Sequence, residues 1–307
     1  MNLRSVDYFI MIARERSFSK AANELYITQQ TLSANIAALE QELECKLLIR
    51  HVPLELTHAG EVFLQYAYDI QQKLRSLRRE IGEIANQDRG VLRVGIVHTR
   101  GRVLMPGLID GFQRHYPKIE IQVIENTNDL LLNHLLNGEI DLAIANFPGK
   151  MPGVCLRDFY EVEIVLLVSK ALLASIYGDK MDALVERLEH SGDLTLLKEC
   201  PFILSYKDDV AGRLGHLLLS RAPFRPNVRA RSRNSETLLE LCCRGVGAHL
   251  IAEDLALGTL SKEKLSGLQV FRFGSLARFM IHFAWLEQPL QWRAITNFMD
   301  KAHITRL

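Results

Sequence analysis

The chain of 307 residues has no apolar run long enough to cross a bilayer and no evident secretory leader, so a cytoplasmic protein with no membrane contact is expected. It has almost no net charge, +1 formally, which argues against indiscriminate nucleic-acid binding through a basic surface. Cysteine is sparse: Cys45, Cys155, Cys200, Cys242 and Cys243 form an odd set of five without metal-ligand spacing. Reduced thiols in a reducing compartment are expected, with no metal and no cofactor. Redox sensing is disfavoured, because Cys200 has no evident resolving partner and Cys242-Cys243 fall in one helix. Also lacking are a phosphate-binding glycine loop, a strand–nucleophile–helix motif and a zinc-ligand cluster. Gly245-Val246-Gly247 is too short for a dinucleotide fingerprint, and His249 lacks an obvious catalytic partner, so no enzyme is expected. What is present is ordinary for a globular protein, 48% hydrophobic and 24% charged, with length for about two domains.

The most informative stretch runs from Ser17 to Glu40. Ser17 is a good N-cap, and Phe18, Ala21, Ala22 and Leu25 then recur at helical spacing. Tyr26-Ile27 breaks the pattern, and Thr28 is a second N-cap. The next helix carries an apolar stripe of Leu32, Ile36, Leu39 and Leu43. Its opposite face bears Gln30, Ser33, Ala34, Ala37 and Gln41. The two alanines let the backbone approach a groove closely. Gln29, Gln30, Thr31 and Ser33 bring amide and hydroxyl groups, which read base edges, to the end that a recognition helix presents to the major groove. Taken alone, the pattern also suits a solvated helix pair. Residues 3–14 form a preceding helix with Leu3, Val6, Phe9, Ile10 and Ala13 on one side.

Residues 47–57 hold two short apolar runs around a turn, a hairpin wing with Arg50 and His51 at its tip. In residues 1–57 the acidic side chains slightly outnumber the basic ones, so phosphate contacts rest on a few groups: Arg4, Lys20, Lys46 and Arg50. Phe9, Ser17-Phe18-Ser19, Ala21-Ala22, Leu25, Thr28-Gln29, Ser33, Ile36, Leu39-Glu40, Leu43, Leu47, Arg50, Leu56-Thr57 and Ala59-Gly60 together resemble the LysR-type transcriptional regulators. The chain departs from that pattern at Gln30 (commonly proline), Glu44 (commonly glycine) and Leu48 (commonly phenylalanine). The candidate DNA-contacting set is Ser17, Lys20, Thr28, Gln29, Gln30, Thr31, Ser33, Arg50 and His51.

Thr57 caps a long helix reaching about Gln87. Phe63, Ile70, Leu77 and Ile84 repeat every seven residues, interleaved with Ala67, Leu74 and Ile81, which gives an a/d seam over about three heptads. A dimerisation helix is expected, and the resemblance implies a linker helix that dimerises; the alternative is a long helix packed on its own domain. Asp88-Arg89-Gly90 ends it.

Beyond residue 90 strands and helices alternate, which argues for parallel βαβ units. Expected strands are Val91–Val97, Ile119–Glu125, Asp141–Asn146, Val162–Ser169, Phe202–Ser205, Val228–Ser232, Gly247–Ile251, Leu268–Phe273 and Phe279–Leu286. Expected helices are Arg102–Tyr116, Asp129–Asn137, Met181–His190, Val210–Leu219, Ser235–Arg244 and Gln291–His303. Leu92-Arg93-Val94-Gly95, Pro106, Tyr116-Pro117, Glu125, Asp141-Leu142-Ala143-Ile144, Pro201-Phe202-Ile203 and Gly245-Val246-Gly247 resemble the effector-binding domain of the same family, with Ala252 where proline is common. The fold class is then α/β with an N-terminal all-α winged helix-turn-helix domain. The resemblance implies a two-lobe domain like the periplasmic solute-binding proteins. The expected boundaries are 1–57 for the DNA-binding domain and 58–89 for the linker. Residues 90–307 hold the effector domain, with lobe I about 90–161 and 268–307 and lobe II about 162–267.

In such a domain small ligands bind at strand carboxyl ends. Thr99 and Arg100 follow the first strand, Thr127 and Asn128 the second, Asn146 and Phe147 the buried one, and Ser205 and Tyr206 open the second lobe. Thr99 is expected to cap the next helix, whose start, with Arg100 and Arg102, suits a small anionic metabolite. One of Arg225, Arg229, Arg231 and Arg233 is a further candidate for pairing with an anion. Expected partners are double-stranded DNA, a small-molecule effector, a second copy of the chain in a homodimer or homotetramer, and RNA polymerase. A solute-binding protein or an enzyme built on the α/β half are the competing readings; export to the periplasm or a hydrolase or oxidoreductase activity would support them.

Overall fold

The computed structural model describes residues 2–51, 53–84, 89–207, 210–288 and 291–306. The chain divides into two compact units, Met1–Gly90 with His134–Glu139, and Val91–Asn133 with Ile140–Leu307.

In the first unit, α1 (Leu3–Glu15), α2 (Phe18–Glu24) and α3 (Gln29–Glu42) enclose a small core. Each starts where a side chain accepts a first-turn amide that has no partner within the helix. Asn2 accepts from Ser5 N at 2.8 Å, Ser17 from Lys20 N at 3.4 Å and Thr28 from Thr31 N at 3.1 Å. Phe9, Ile12, Ala21, Leu32, Ile36 and Leu39 are buried between them. Leu43, expected to continue the apolar stripe, does not: it is the C-cap of α3 and stays 38% exposed. Glu44 then turns the chain at φ 52°, a left-handed conformation that glycine adopts freely and other residues rarely. That is the physical reason for a glycine preference at this position.

The hairpin forms as β1 (Leu48–Ile49) antiparallel to β2 (Glu55–Leu56). Thr57 accepts from Gly60 N at 3.0 Å and so starts α4 (His58–Ile84), while its hydroxyl donates to Lys46 O at 2.7 Å. Gly60 has no room for a side chain, because a Cβ there would collide with the Leu47 carbonyl oxygen. The expected extension of α4 to Gln87 lies outside the described residues.

Past α4 come β3 (Gly90–Val97), α5 (His98–Gln113), β4 (Ile119–Asn126), α6 (Asn128–Leu136) and β5 (Leu142–Ala145). Next are β6 (Val154–Ser169), α7 (Lys170–Tyr177), α8 (Met181–Ser191), β7 (Pro201–Ser205) and α9 (Val210–Ser220). Then follow β8 (Asn227–Ser232), α10 (Ser235–Cys243), β9 (Ala248–Ala252), α11 (Glu253–Thr259) and α12 (Lys262–Ser266). The last elements are β10 (Leu268–Arg272), β11 (Arg278–Leu286) and α13 (Arg293–Arg306). The strands join one sheet in the order β4-β3-β5-β11-β6-β9-β7-β8, with β10 also on β6.

The expected parallel units hold toward the two ends, where β3 pairs with β5, and β7 with β8 and β9. The middle is antiparallel. β6, sixteen residues long, is twice the expected strand and links both halves: residues 154–163 pair with β11, and 164–169 with β9 and β10. Its first half is only partly buried, so it lacks the continuous apolar run that marks Ile164–Val168. β10 pairs with the second half of β6 and β11 with its first half. α7, α11 and α12 were not expected; at eight residues or fewer they are too short for periodicity to show.

Candidate functional site

Two sites carry chemistry. The first is the outer face of α3 with the hairpin. Gln29, Gln30, Thr31, Ala34 and Ala37 are exposed, as expected, and Ser33 is half-buried. Ser19 donates its hydroxyl to Gln29 Oε1 at 3.0 Å, which fixes the carboxamide and leaves its NH2 as the outward donor. The hydroxyls of Thr28 and Thr31 bond each other at 2.8 Å, so both are engaged within the helix start. Lys20 is exposed on α2, which Ser17 caps.

Arg50 is held from three sides. Its guanidinium donates to Ser33 Oγ at 3.4 Å, lies 3.6 Å from Glu40 and stacks 5.3 Å above the Phe18 ring. His51 sits 3.5 Å from Glu55 across the hairpin. Glu40 organises this corner, and sequence reasoning gave it no role. Its side chain has no exposed surface, yet it accepts from Lys46 Nζ at 2.9 Å, Leu47 N at 3.0 Å and Leu48 N at 3.2 Å. Burial pushes its pKa up, but these donors more than offset that and hold it below the usual carboxylate value. One signal was available: Glu40 lies four residues after Ile36, on the buried arc, where a carboxylate needs partners.

Along α4 the apolar positions split. Phe63 packs edge-on against Phe9 at 4.9 Å between centroids, and Ala67 is 1% exposed. Ala67 is therefore covered within this unit, while Phe63 stays half-buried, like Ile70. Val62, Tyr66, Leu77 and Ile81 are 44, 64, 52 and 58% exposed and share one arc of the helix with Ile70. Leu74 is half-buried, and the side chain of Ile84 lies outside the described residues.

The second site is a cleft in the α/β unit. Its narrow part has a cavity volume of only about 30 Å³. Thr99, Arg100, Asn128, Asn146 and Ser205 line it, five of the eight expected ligand residues, brought together from the ends of four strands. Apolar side chains of β3, β9, α9, α11 and β11, Phe279 among them, form the rest of the wall with Ser235 of α10. Asn146 takes no cap role: its Nδ2 donates to Met280 O at 2.8 Å, and its backbone amide donates to Asn128 Oδ1 at 3.2 Å. Asn128 therefore offers NH2 donors and Asn146 its carbonyl oxygen. A wider compartment of about 360 Å³ adjoins it, lined by Thr99, Thr127 and Asn128 with Glu125, Arg213 and Arg233.

Several expectations change. α5 begins directly at His98 with Val97 as N-cap and no side-chain cap, so Thr99 lies inside the first turn. Phe147 is 4% exposed and lines neither part; its backbone amide donates to His282 Nδ1 at 3.4 Å. Tyr206 also lines neither; the Arg233 guanidinium covers its ring at 4.7 Å. Arg102 is ion-paired with Glu236 of α10. Of the four arginines flagged near β8, Arg233 reaches the cleft, while Arg229 and Arg231 share the exposed face of β8.

Arg100 differs from an open anion receptor. It is 5% exposed, its Nε lies 3.3 Å from Asp254 Oδ2 of α11, and it stacks 5.3 Å over Phe279. Tyr160 donates to the same Asp254 oxygen at 2.8 Å. The close approach of α5 and α11 depends on Gly258, where a Cβ would collide with Val103.

The five cysteines are free thiols. Burial pushes Cys200 to about 11 and Cys242 to about 12, and raises Cys155 and Cys243 above the ordinary thiol value. Thiols held protonated are poor nucleophiles, which disfavours peroxide sensing at these positions.

Comparison with known proteins bears on both sites. The family model described as "Bacterial regulatory helix-turn-helix protein, lysR family" matches residues 3–61, and "LysR substrate binding domain" matches residues 85–303. An uncharacterised HTH-type transcriptional regulator of Bacillus subtilis, YcgK, is 29% identical over 254 residues, covering 80% of this chain and 78% of its own. A probable RuBisCO transcriptional regulator of Phaeodactylum tricornutum is 34% identical over 166 residues, 52% of this chain and 53% of its own. Among solved structures, a full-length OxyR variant from Pseudomonas aeruginosa superposes with TM-score 0.71 at 22% identity, covering 99% of this chain and 98% of that one. CbnR in complex with its target DNA gives 0.61 at 22% identity, covering 99% and 100%.

Proposed function

The chain belongs to the LysR family of bacterial helix-turn-helix regulators and is a DNA-binding transcriptional regulator, and from that premise we propose how its sites divide the work. The outer face of α3 reads a specific duplex sequence: Gln29 and Gln30 contact base edges, and Lys20, Arg50 and His51 contact phosphate. α4 pairs two copies along Val62, Tyr66, Ile70, Leu77 and Ile81, which doubles the contacts to DNA. A homotetramer, contact with RNA polymerase and action in the cytoplasm belong to the same reading.

The α/β unit takes a small metabolite bearing an anionic group. The observation that carries this is the convergence of Thr99, Arg100, Asn128, Asn146 and Ser205 on one cleft. First-turn amides of α5 and the Thr99 hydroxyl supply donors where the helix dipole favours negative charge. A ligand bound there favours one arrangement of the two lobes over another, and thereby shifts an existing equilibrium between DNA-bound geometries. Membership of a regulator family argues against the enzyme reading.

The test is a metabolite screen by thermal shift on the full-length protein, followed by titration of wild type and Thr99→Val. The reading requires a ligand that raises the melting temperature, alters the gel-shift pattern on bound DNA, and loses at least tenfold in affinity in Thr99→Val. Equal affinity in the two proteins contradicts the cleft assignment.

A further inference from the structure

The stretch from Val210 to Ser235 holds six of the chain's 37 basic side chains and none of its 36 acidic ones, so the rest of the chain is net negative. All six arginines are exposed. Arg213 and Arg233 line the wider compartment of the cleft, whereas Arg225, Arg229 and Arg231 line neither part. These three stand on or just before β8, which ends the sheet and pairs on one side only, with β7. From Arg225 to Arg231 exposed residues alternate with partly buried ones. Pro226 holds Arg225 out of the helical region, so the extended backbone begins before the strand. The three guanidinium groups therefore share one face of an edge, spread over about 20 Å at about 3.3 Å per residue. Arg229 Nη1 donates to Val246 O at 3.3 Å, a carbonyl and not a carboxylate. Among the described residues none of the three has an acidic partner.

Like charges in a row repel one another, a cost that a polyanion removes. A ligand small enough for the cleft cannot reach along 20 Å of strand. Charges on an edge strand also block pairing with another sheet. That accounts for Arg229 and Arg231 but not for Arg225, which precedes the strand. The choice of arginine at all three positions suits phosphate, which the planar guanidinium meets with two parallel hydrogen bonds. DNA is the polyanion that this chain already binds, and in residues 1–57 acidic side chains slightly outnumber basic ones. We propose that Arg225, Arg229 and Arg231 hold the sugar–phosphate backbone of the bound duplex, so that the α/β unit adds DNA affinity without sequence preference. The proposal rests on DNA binding alone and not on the ligand assigned to the cleft.

The test is a salt titration of full-length protein on a selected genomic fragment and on a random duplex, each extended by two helical turns, about 20 base pairs, at both ends. Each phosphate neutralised adds about 0.9 to the slope of log affinity against log salt concentration. Arg225→Gln with Arg229→Gln and Arg231→Gln is expected to reduce that slope by about 2–3 on both duplexes. Affinity should fall at least tenfold on both, with the preference between them unchanged. Arg225→Lys with Arg229→Lys and Arg231→Lys keeps the charge and should keep the slope within about one of wild type. A glutamine variant with wild-type slope and affinity overturns the proposal, and so does an equal loss in the lysine variant. A lower sedimenting mass of the glutamine variant without DNA overturns DNA as the partner in favour of a second copy of the chain. Poly-L-glutamate that binds wild type more tightly than random duplex of equal charge, and loses that binding in the glutamine variant, overturns it in favour of an acidic protein surface. Because the slope is read on random duplex too, the result does not depend on α3 being the element that reads sequence.

Discussion

Glu40 at the end of α3 accepts the backbone amide of Leu47 at 3.0 Å, a bond that ties the candidate recognition helix to the hairpin. The same carboxylate accepts Leu48 N and Lys46 Nζ, and it lies beside Arg50. One buried charge therefore sets both the hairpin's position and the bearing of two cations suited to phosphate.

Glu40→Ala leaves two buried amides without an acceptor, at about 1–3 kcal/mol each. Glu40→Gln keeps one acceptor oxygen and should lose clearly less. Urea denaturation of the full-length protein checks the ranking; equal stability in wild type and Glu40→Ala would show that the hairpin does not depend on this carboxylate.

Leu77 and Ile81 are more than half exposed on α4, while Ala67 is covered. Leu77→Lys places a charge on the exposed arc, where pairing of two helices would bury it. Sedimentation should show a shift toward monomer, and Ala67→Ser should not. A Leu77→Lys protein of wild-type mass and wild-type DNA affinity would remove this arc as the dimer interface.

His249 is buried in β9, with Nδ1 3.1 Å from Ile203 O. Burial lowers its pKa from 6.5 to about 4. The unfolded chain therefore takes up a proton near pH 6.5 that the folded chain refuses until about pH 4. Its contribution to stability is complete above pH 6.5 and is lost as pH falls toward 4. Between those values wild type should lose up to about 1.4 kcal/mol per pH unit more than His249→Gln. Parallel pH profiles for the two proteins would show that this imidazole is not the cause.

The helix-turn-helix was legible because its signals are local: Ser17 and Thr28 are caps, and Leu32, Ile36 and Leu39 recur at helical spacing. The cleft was half legible. Strand ends pointed to Thr99, Asn128, Asn146 and Ser205, since residues after strands in such sheets meet at one edge. The pairing of Arg100 with Asp254 was not, because it depends on α11 lying against α5, two helices far apart in the chain. Phe147 and Tyr206 line neither compartment: Phe147 is buried, and the Arg233 guanidinium covers the Tyr206 ring. Ala67 shows the limit of periodicity, which finds an apolar stripe but not which surface covers it.

The most direct measurement is a titration of full-length protein against a genomic fragment recovered by binding selection and a random duplex of equal length. Wild type should prefer the selected fragment by at least about 10³-fold. Gln29→Ala with Gln30→Ala should erode that preference, by about 1–3 kcal/mol for each base edge no longer read, and leave random-duplex binding unchanged. Arg50→Ala should weaken both duplexes alike. A double variant that retains the full preference of wild type would contradict the assignment of α3 as the element that reads DNA.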